Sequence, residues 1–139
     1  MRLESQTVAV GAFDFRRSLV LQRFGKNDPT ATLEDDHFSK TFHWRGELVR
    51  VEVGRSDQPQ ALQVSGPAEL LEAWADAFPP PDGYGEFTPA HDGLNELHRR
   101  YRGLRIVRVP WLYDVACSCI LQQRVRLPEA VISWRKLAE

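Results

Sequence analysis

The chain has 139 residues, 42% hydrophobic and 27% charged, with a formal net charge of -1. That length suits about one domain with a core of its own, which excludes wholesale disorder and any need for disulfide staples. No stretch approaches the roughly 20 apolar residues of a membrane span, and the N-terminal residues lack the apolar run of a secretory signal, so the expectation is a cytoplasmic protein with no membrane partner.

The charge is unevenly spread. Residues 1–98 carry 9 Lys/Arg against 16 Asp/Glu, net -7, whereas residues 99–139 carry 9 against 3, net +6. Two readings stay open: an anion-facing C-terminal part, or two parts of one fold that attract each other.

In chain order, "QTVAVGA" (6–12) reads as a first strand. Asp14 then caps a helix with Leu19, Val20 and Phe24 as its apolar stripe and Gly25 as its stop. "KNDPTATLEDD" is loop-like, with a short edge strand at Ala31 to Leu33 and a solvated acidic run at Glu34, Asp35 and Asp36. From residue 37 the period changes to two: "HFSKTFHW" and "ELVRVEV" alternate about Arg45-Gly46, a tight hairpin. In the second of these strands Val49, Val51 and Val53 face inward while Arg50 and Glu52 face water. "ALQVSG" extends the antiparallel meander, since connections this short cannot make parallel crossovers.

Helical spacing follows. "SGPAELLEAWADAF" takes Ser65 or Gly66 as its cap and places Leu70, Leu71, Trp74 and Phe78 on one stripe. "PPPDGYGEF" is a turn-rich surface loop. "TPAHDGLNELHRRYRG" starts a helix at Thr88 and Pro89, buries Leu94, Leu97 and Tyr101, and ends at Gly103. "LRIVRV" is an extended link, and two further helices are opened by Pro110 and by Leu127-Pro128. The fold class is therefore α+β: an antiparallel sheet with packed helices over 1–108, then the start of an all-helical region over 109–139.

Catalytic signatures are absent. "GYGEF" lacks the spacing of a phosphate loop, Ser118 has no nucleophile elbow, and His91 and His98 have no third metal ligand nearby, so no metal or cofactor is expected. Cys117 and Cys119, two apart on a helix, point to different faces and read as reduced core residues. What remains is the polar junction between the last two helices: Gln122, Gln123, Arg124 and Arg126. Such side chains can reach a phosphate, and an arginine can enter a minor groove. The same residues also suit a polar interhelix loop with no partner.

The segment "YRGLRIVRVPWLYDVACSCILQQRVRLPEAVISW" resembles the entry to the catalytic region of the helix-hairpin-helix DNA glycosylases, nearest to the 3-methyladenine DNA glycosylase II branch and more distantly to the 8-oxoguanine glycosylases. Gly103-Leu104-Arg105 matches one family element, and Ile120 to Arg126 matches a second, with Gln122 in place of the usual glycine. The resemblance implies that residues 1–108 form the family's N-terminal sheet domain, half of a TATA-binding-protein-like fold, and that 109–139 begin its all-α glycosylase domain.

Function follows from the same resemblance. Family members flip a damaged, alkylated base out of double-stranded DNA and cleave its N-glycosidic bond. Arg124 falls at the wedge that fills the emptied place, Gln123 beside it at the orphaned strand, and Trp111 or Tyr113 at the apolar front of the base pocket. The family's helix-hairpin-helix and catalytic aspartate are not found, so the resemblance implies the front part of a repair enzyme, nucleoid-associated when bound to DNA and inert by itself. A cut final helix would leave Val131, Ile132 and Trp134 only partly buried and favour self-association. The alternatives are a free-standing nucleic-acid-binding or protein-interaction module derived from that domain, and an unrelated soluble α+β protein.

Overall fold

The computed structural model describes residues 2–78 and 86–138. Strands β1 (Leu3–Ala9), β2 (Ala31–Leu33), β3 (His37–Trp44), β4 (Glu47–Arg55) and β5 (Ala61–Pro67) form one sheet in the order β1-β5-β4-β3-β2. Every pairing is antiparallel. The helices are α1 (Phe15–Leu19), extended by a 3-10 turn over Val20–Gln22, α2 (Ala68–Ala75), α3 (Asp92–Arg100), α4 (Leu112–Leu121) and α5 (Leu127–Ala138). This is the expected α+β class.

The β3–β4 hairpin turns at Arg45 (φ 50) and Gly46 (φ 86), both in the left-handed region that a two-residue turn needs to follow the twist of its strands. Its register pairs Phe38 with Val53, Lys40 with Val51 and Phe42 with Val49, so these six share one face. Leu62 and Val64 of β5 join them, and Phe15, Leu19, Leu70, Leu71, Trp74, Phe78 and Trp111 close the core from the helices. Trp74 satisfies its indole nitrogen by donating to the Glu52 carbonyl at 3.0 Å. The core thus runs without a break past residue 108, because Trp111 sits between Phe42 (5.2 Å between ring centroids) and Trp74 (5.3 Å).

Several boundaries differ from expectation. β1 begins at Leu3 and is over by Gly11 (φ 66), where the amides of Val10 and Gly11 both donate to the Gln60 carbonyl. Asp14 caps α1 as expected, its carboxylate accepting from the Arg17 amide at 3.0 Å, but the helix lasts only to Leu19. Phe24 leaves it to pack edge-on against Trp134. Ser65 and Gly66 belong to β5, and Pro67 is the cap of α2. The Thr88–Pro89 start of α3 gives way to His91, whose Nδ1 accepts from the Gly93 amide. Leu94 and Leu97 are 55% and 51% exposed, so α3 does not bury the stripe its spacing suggests. Cys117 is half-buried and Cys119 exposed, both free, rather than core residues. Trp134 is buried, not partly exposed, whereas Val131 is half-buried and Ile132 exposed. The turn-rich loop expected after Phe78 lies, over 79–85, outside the described residues.

Gly103-Leu104-Arg105 holds α1 in place. The Asp14 amide donates to the Gly103 carbonyl, the Arg105 amide donates to Ser18 Oγ at 3.0 Å, and Arg17 donates to the Arg100 carbonyl while its guanidinium lies over Tyr101. A Cβ at Gly103 would lie 2.7 Å from the Asp14 nitrogen, so the two backbones meet only because this residue has no side chain. Gly103→Ala is expected to cost about 1–3 kcal/mol, the range for forced overpacking, measured as a lower urea midpoint at unchanged m-value.

Candidate nucleic-acid interface

The junction between α4 and α5 is held against the sheet from both sides. Trp111 roots the start of α4 in the core, and α5 is rooted by Trp134. Between the two roots lies Lys40, whose side chain is only 3% exposed. Its ammonium sits 3.2 Å from Asp114 of α4 and 3.7 Å from Asp28, donates to Thr30 Oγ1 at 2.5 Å, and lies 5.4 Å from the centre of the Trp134 ring. Asp28 is fully enclosed. It accepts from Trp134 Nε1 (2.9 Å), Thr30 Oγ1 (2.7 Å), and the amides of Thr30 (2.9 Å) and Phe24 (2.7 Å).

Burial by itself would raise the Asp28 carboxyl; hydrogen bonds from Phe24, Trp134 and Thr30, with the Lys40 charge, outweigh it and hold the carboxyl below its usual value. One lysine facing two carboxylates leaves the cluster with a net single negative charge.

The four junction residues are all exposed. Gln122 turns back on its own helix, its side-chain amide donating to the Ser118 carbonyl at 3.1 Å, so it caps α4 rather than projecting from it. Arg124 stands in the left-handed region (φ 62), a conformation glycine usually supplies at helix ends and one that costs another residue about 1–2 kcal/mol. The Arg126 amide donates to Glu129 at 3.2 Å, half of a capping box. That carboxylate occupies the helix start, so a phosphate would be met here by side chains and not by free amides. The side chains of Gln123, Arg124 and Arg126 make no hydrogen bond or ion pair among the described residues.

Two basic residues missed in the sequence come close to this pair of helices. Gly25 (φ 89) packs so tightly on α5 that a Cβ would lie 3.0 Å from Val131, which brings the Arg23–Lys26 loop onto the helical pair. Arg23 and Ser118 line one small cavity of about 60 Å³. Nothing in the spacing of "RFGK", about a hundred residues upstream, points to that placement.

The two aromatic candidates for the front of a base pocket have different surroundings. Trp111 is 3% exposed and held by Phe38, Phe42 and Trp74; the cavity beside it is the 60 Å³ one, room for a water or two and not for a base. Trp111 therefore lies in the core, away from the exposed junction. Tyr113 is exposed and borders a groove of about 570 Å³ with Phe42, Leu48, Trp134 and Leu137. Its phenol pKa is raised, chiefly by a hydrogen bond with Cys117 one turn along.

No protein-family model matches the sequence, and no curated protein matches it. Among the described residues no group of three or more His, Cys, Asp or Glu could hold a metal, and no helix is long and apolar enough to cross a membrane.

The Lys40 cluster generates two expectations. Lys40→Met removes the cation facing the enclosed Asp28 and the half-buried Asp114 and should cost about 3–5 kcal/mol in chemical denaturation. The depressed Asp28 carboxyl contributes stability that is present above its unfolded pKa, about 4, and lost as pH falls through the lower folded value. Denaturation midpoints taken from pH 5 down to pH 2 should therefore drop more for the native chain than for Asp28→Asn.

Proposed function

We propose that this chain is the N-terminal portion of a base-excision DNA N-glycosylase of the alkylated-base type, and that it presents the α4–α5 junction to double-stranded DNA containing a damaged base. In this reading residues 1–108 are the half TATA-binding-protein-like domain and residues 109–139 begin the helical catalytic domain. The observation that carries the reading is Arg124: an arginine held at φ 62 on an exposed turn between two anchored helices, where glycine would be less strained. Non-glycine residues persist in that conformation where the surroundings impose it, and such positions cluster at binding sites. Gln123 and Arg126 flank it with unengaged polar heads, and Arg23 and Lys26 add positive charge on the neighbouring loop.

The chemistry is that of a wedge. A guanidinium can enter the minor groove, occupy the place of an extruded nucleotide and offset part of the few kcal/mol of unstacking. In this reading the chain contributes grip and wedge to the glycosylase.

Arg124→Gly separates binding from folding, because glycine relieves the backbone strain while removing the guanidinium. Its stability should be retained or raised by up to about 1 kcal/mol. Its affinity for a duplex carrying an abasic-site analogue, read by fluorescence anisotropy at low salt, should fall roughly 5-fold or more, equivalent to about 1 kcal/mol. Arg126→Ala should weaken intact and abasic duplexes alike and lower the salt slope by about one. Unchanged affinity in both variants would remove the reading.

A further inference from the structure

The sheet stops short along the end of β3 that leads into the hairpin. β2 pairs only with Phe38 to Lys40, and the last link beside it is the Thr41 amide donating to the Thr30 carbonyl at 2.8 Å. Backbone groups point to alternate sides of a strand, so the N–H and C=O of His43 face the same way as those of Thr41. Pro29, which has no N–H to offer, takes the chain off the edge there, and among the described residues no backbone group pairs with His43 on that side. The groove of about 570 Å³ bordered by Tyr113 follows this open edge, and its volume falls within the range of ligand sites.

The two sides of the groove differ. His43 is paired across the hairpin with Leu48, so both belong to the outer face of the sheet, whereas Phe42 lies on the core face, toward Trp134 and Asp114. The core side is acidic. Asp114 keeps 13% of its side chain exposed, and its one ion pair is with Lys40, which Asp28 shares. No lysine or arginine is among the described residues lining the groove.

We infer that this groove is a peptide-binding site, in which an extended segment of a partner protein adds to β3 at His43 and directs a lysine or arginine side chain to Asp114. Strand addition at a sheet edge takes its affinity from main-chain hydrogen bonds and its specificity from pockets for alternate side chains. Both parts are present. His43 offers an open donor and acceptor to an extended main chain. A residue bonded to it shares the outer face, so its neighbours in the segment turn to the core side, where Phe42, Trp134 and Asp114 stand.

Charge selects the side chain that enters. Two carboxylates face one ammonium in the cluster behind the groove, so an incoming cation brings it to neutrality, and the aromatic rings beside Asp114 suit a cation as well. An acidic peptide or a phosphate backbone would meet Asp114 as a like charge. The groove is therefore opposite in character to the basic α4–α5 junction; this inference does not rest on DNA binding, and its tests contain no DNA.

The probe is a capped pentapeptide with arginine at its centre, valine on either side and threonine at each end, titrated into the full chain and followed by amide NMR. Saturable shifts at Thr41, His43, Leu48 and Asp114 are expected, with a Kd below about 1 mM, and the His43 amide should exchange more slowly with solvent. Asp114→Asn should weaken binding roughly 10-fold or more, as loss of a hydrogen bond to a charged group implies. Leu48→Lys, a change at a side chain 64% exposed on the groove's lip, should weaken it in the same direction without touching the Lys40 cluster; circular dichroism checks that both variants fold. N-methylation of both valines, which removes the main-chain donors, should cost roughly 5-fold or more. No saturable binding at about 1 mM, equal binding of a glutamate-centred peptide, full affinity of the N-methylated peptide, affinity retained in Leu48→Lys, or shifts confined to residues outside the groove would each overturn the inference.

Discussion

The ammonium of Lys40 is the point on which the arrangement of the helical pair depends. It projects from the middle of an otherwise apolar sheet face, opposite Val51, and a lone charge there would be prohibitive. Asp28 comes from a loop, Asp114 from α4 and Trp134 from α5, and each reaches the lysine or a group bound to it. The enclosed charge therefore demands that both helices dock in one place. An apolar residue at position 40 could stabilise a sheet equally well, yet it would not fix where α4 and α5 sit.

Because both helices are rooted, the turn between them is stiff at its ends and exposed in its middle. Strain at Arg124 can persist in such a turn, whereas a loose loop would relax it. Gln122 and Glu129 each close a helix end with a local hydrogen bond, leaving Gln123, Arg124 and Arg126 as the projecting groups. The division between capping and projecting residues is a property of the junction's geometry; the five-residue string "QQRVR" looks uniformly polar.

The strands with strict alternation were readable. Val49, Val51 and Val53 are buried while Arg50 and Glu52 reach solvent, and Arg45-Gly46 turns the hairpin, because period and turn chemistry are local properties of the chain. The same alternation contained a signal left unused. Lys40 shares the parity of Phe38 and Phe42, so period two already places it on the core face. The helices were less readable at their ends and on α3, where spacing implied burial of Leu94 and Leu97 but the described structure places no core against them. Amphipathic spacing states which face could be buried, not whether anything covers it.

The sequence by itself determined the α+β class, the antiparallel hairpin, the Asp14 cap and the position of a polar break between two apolar helices. Each of these follows from interactions within about ten residues. Tertiary structure alone decided that Trp111 and Trp134 are anchors, that the loop residue Asp28 is a buried acceptor, and that the Arg23–Lys26 loop lies on the helical pair. Those placements join residues as far as 106 positions apart (Asp28 and Trp134), across separations at which hydrogen bonding and close packing leave no periodic trace in the chain.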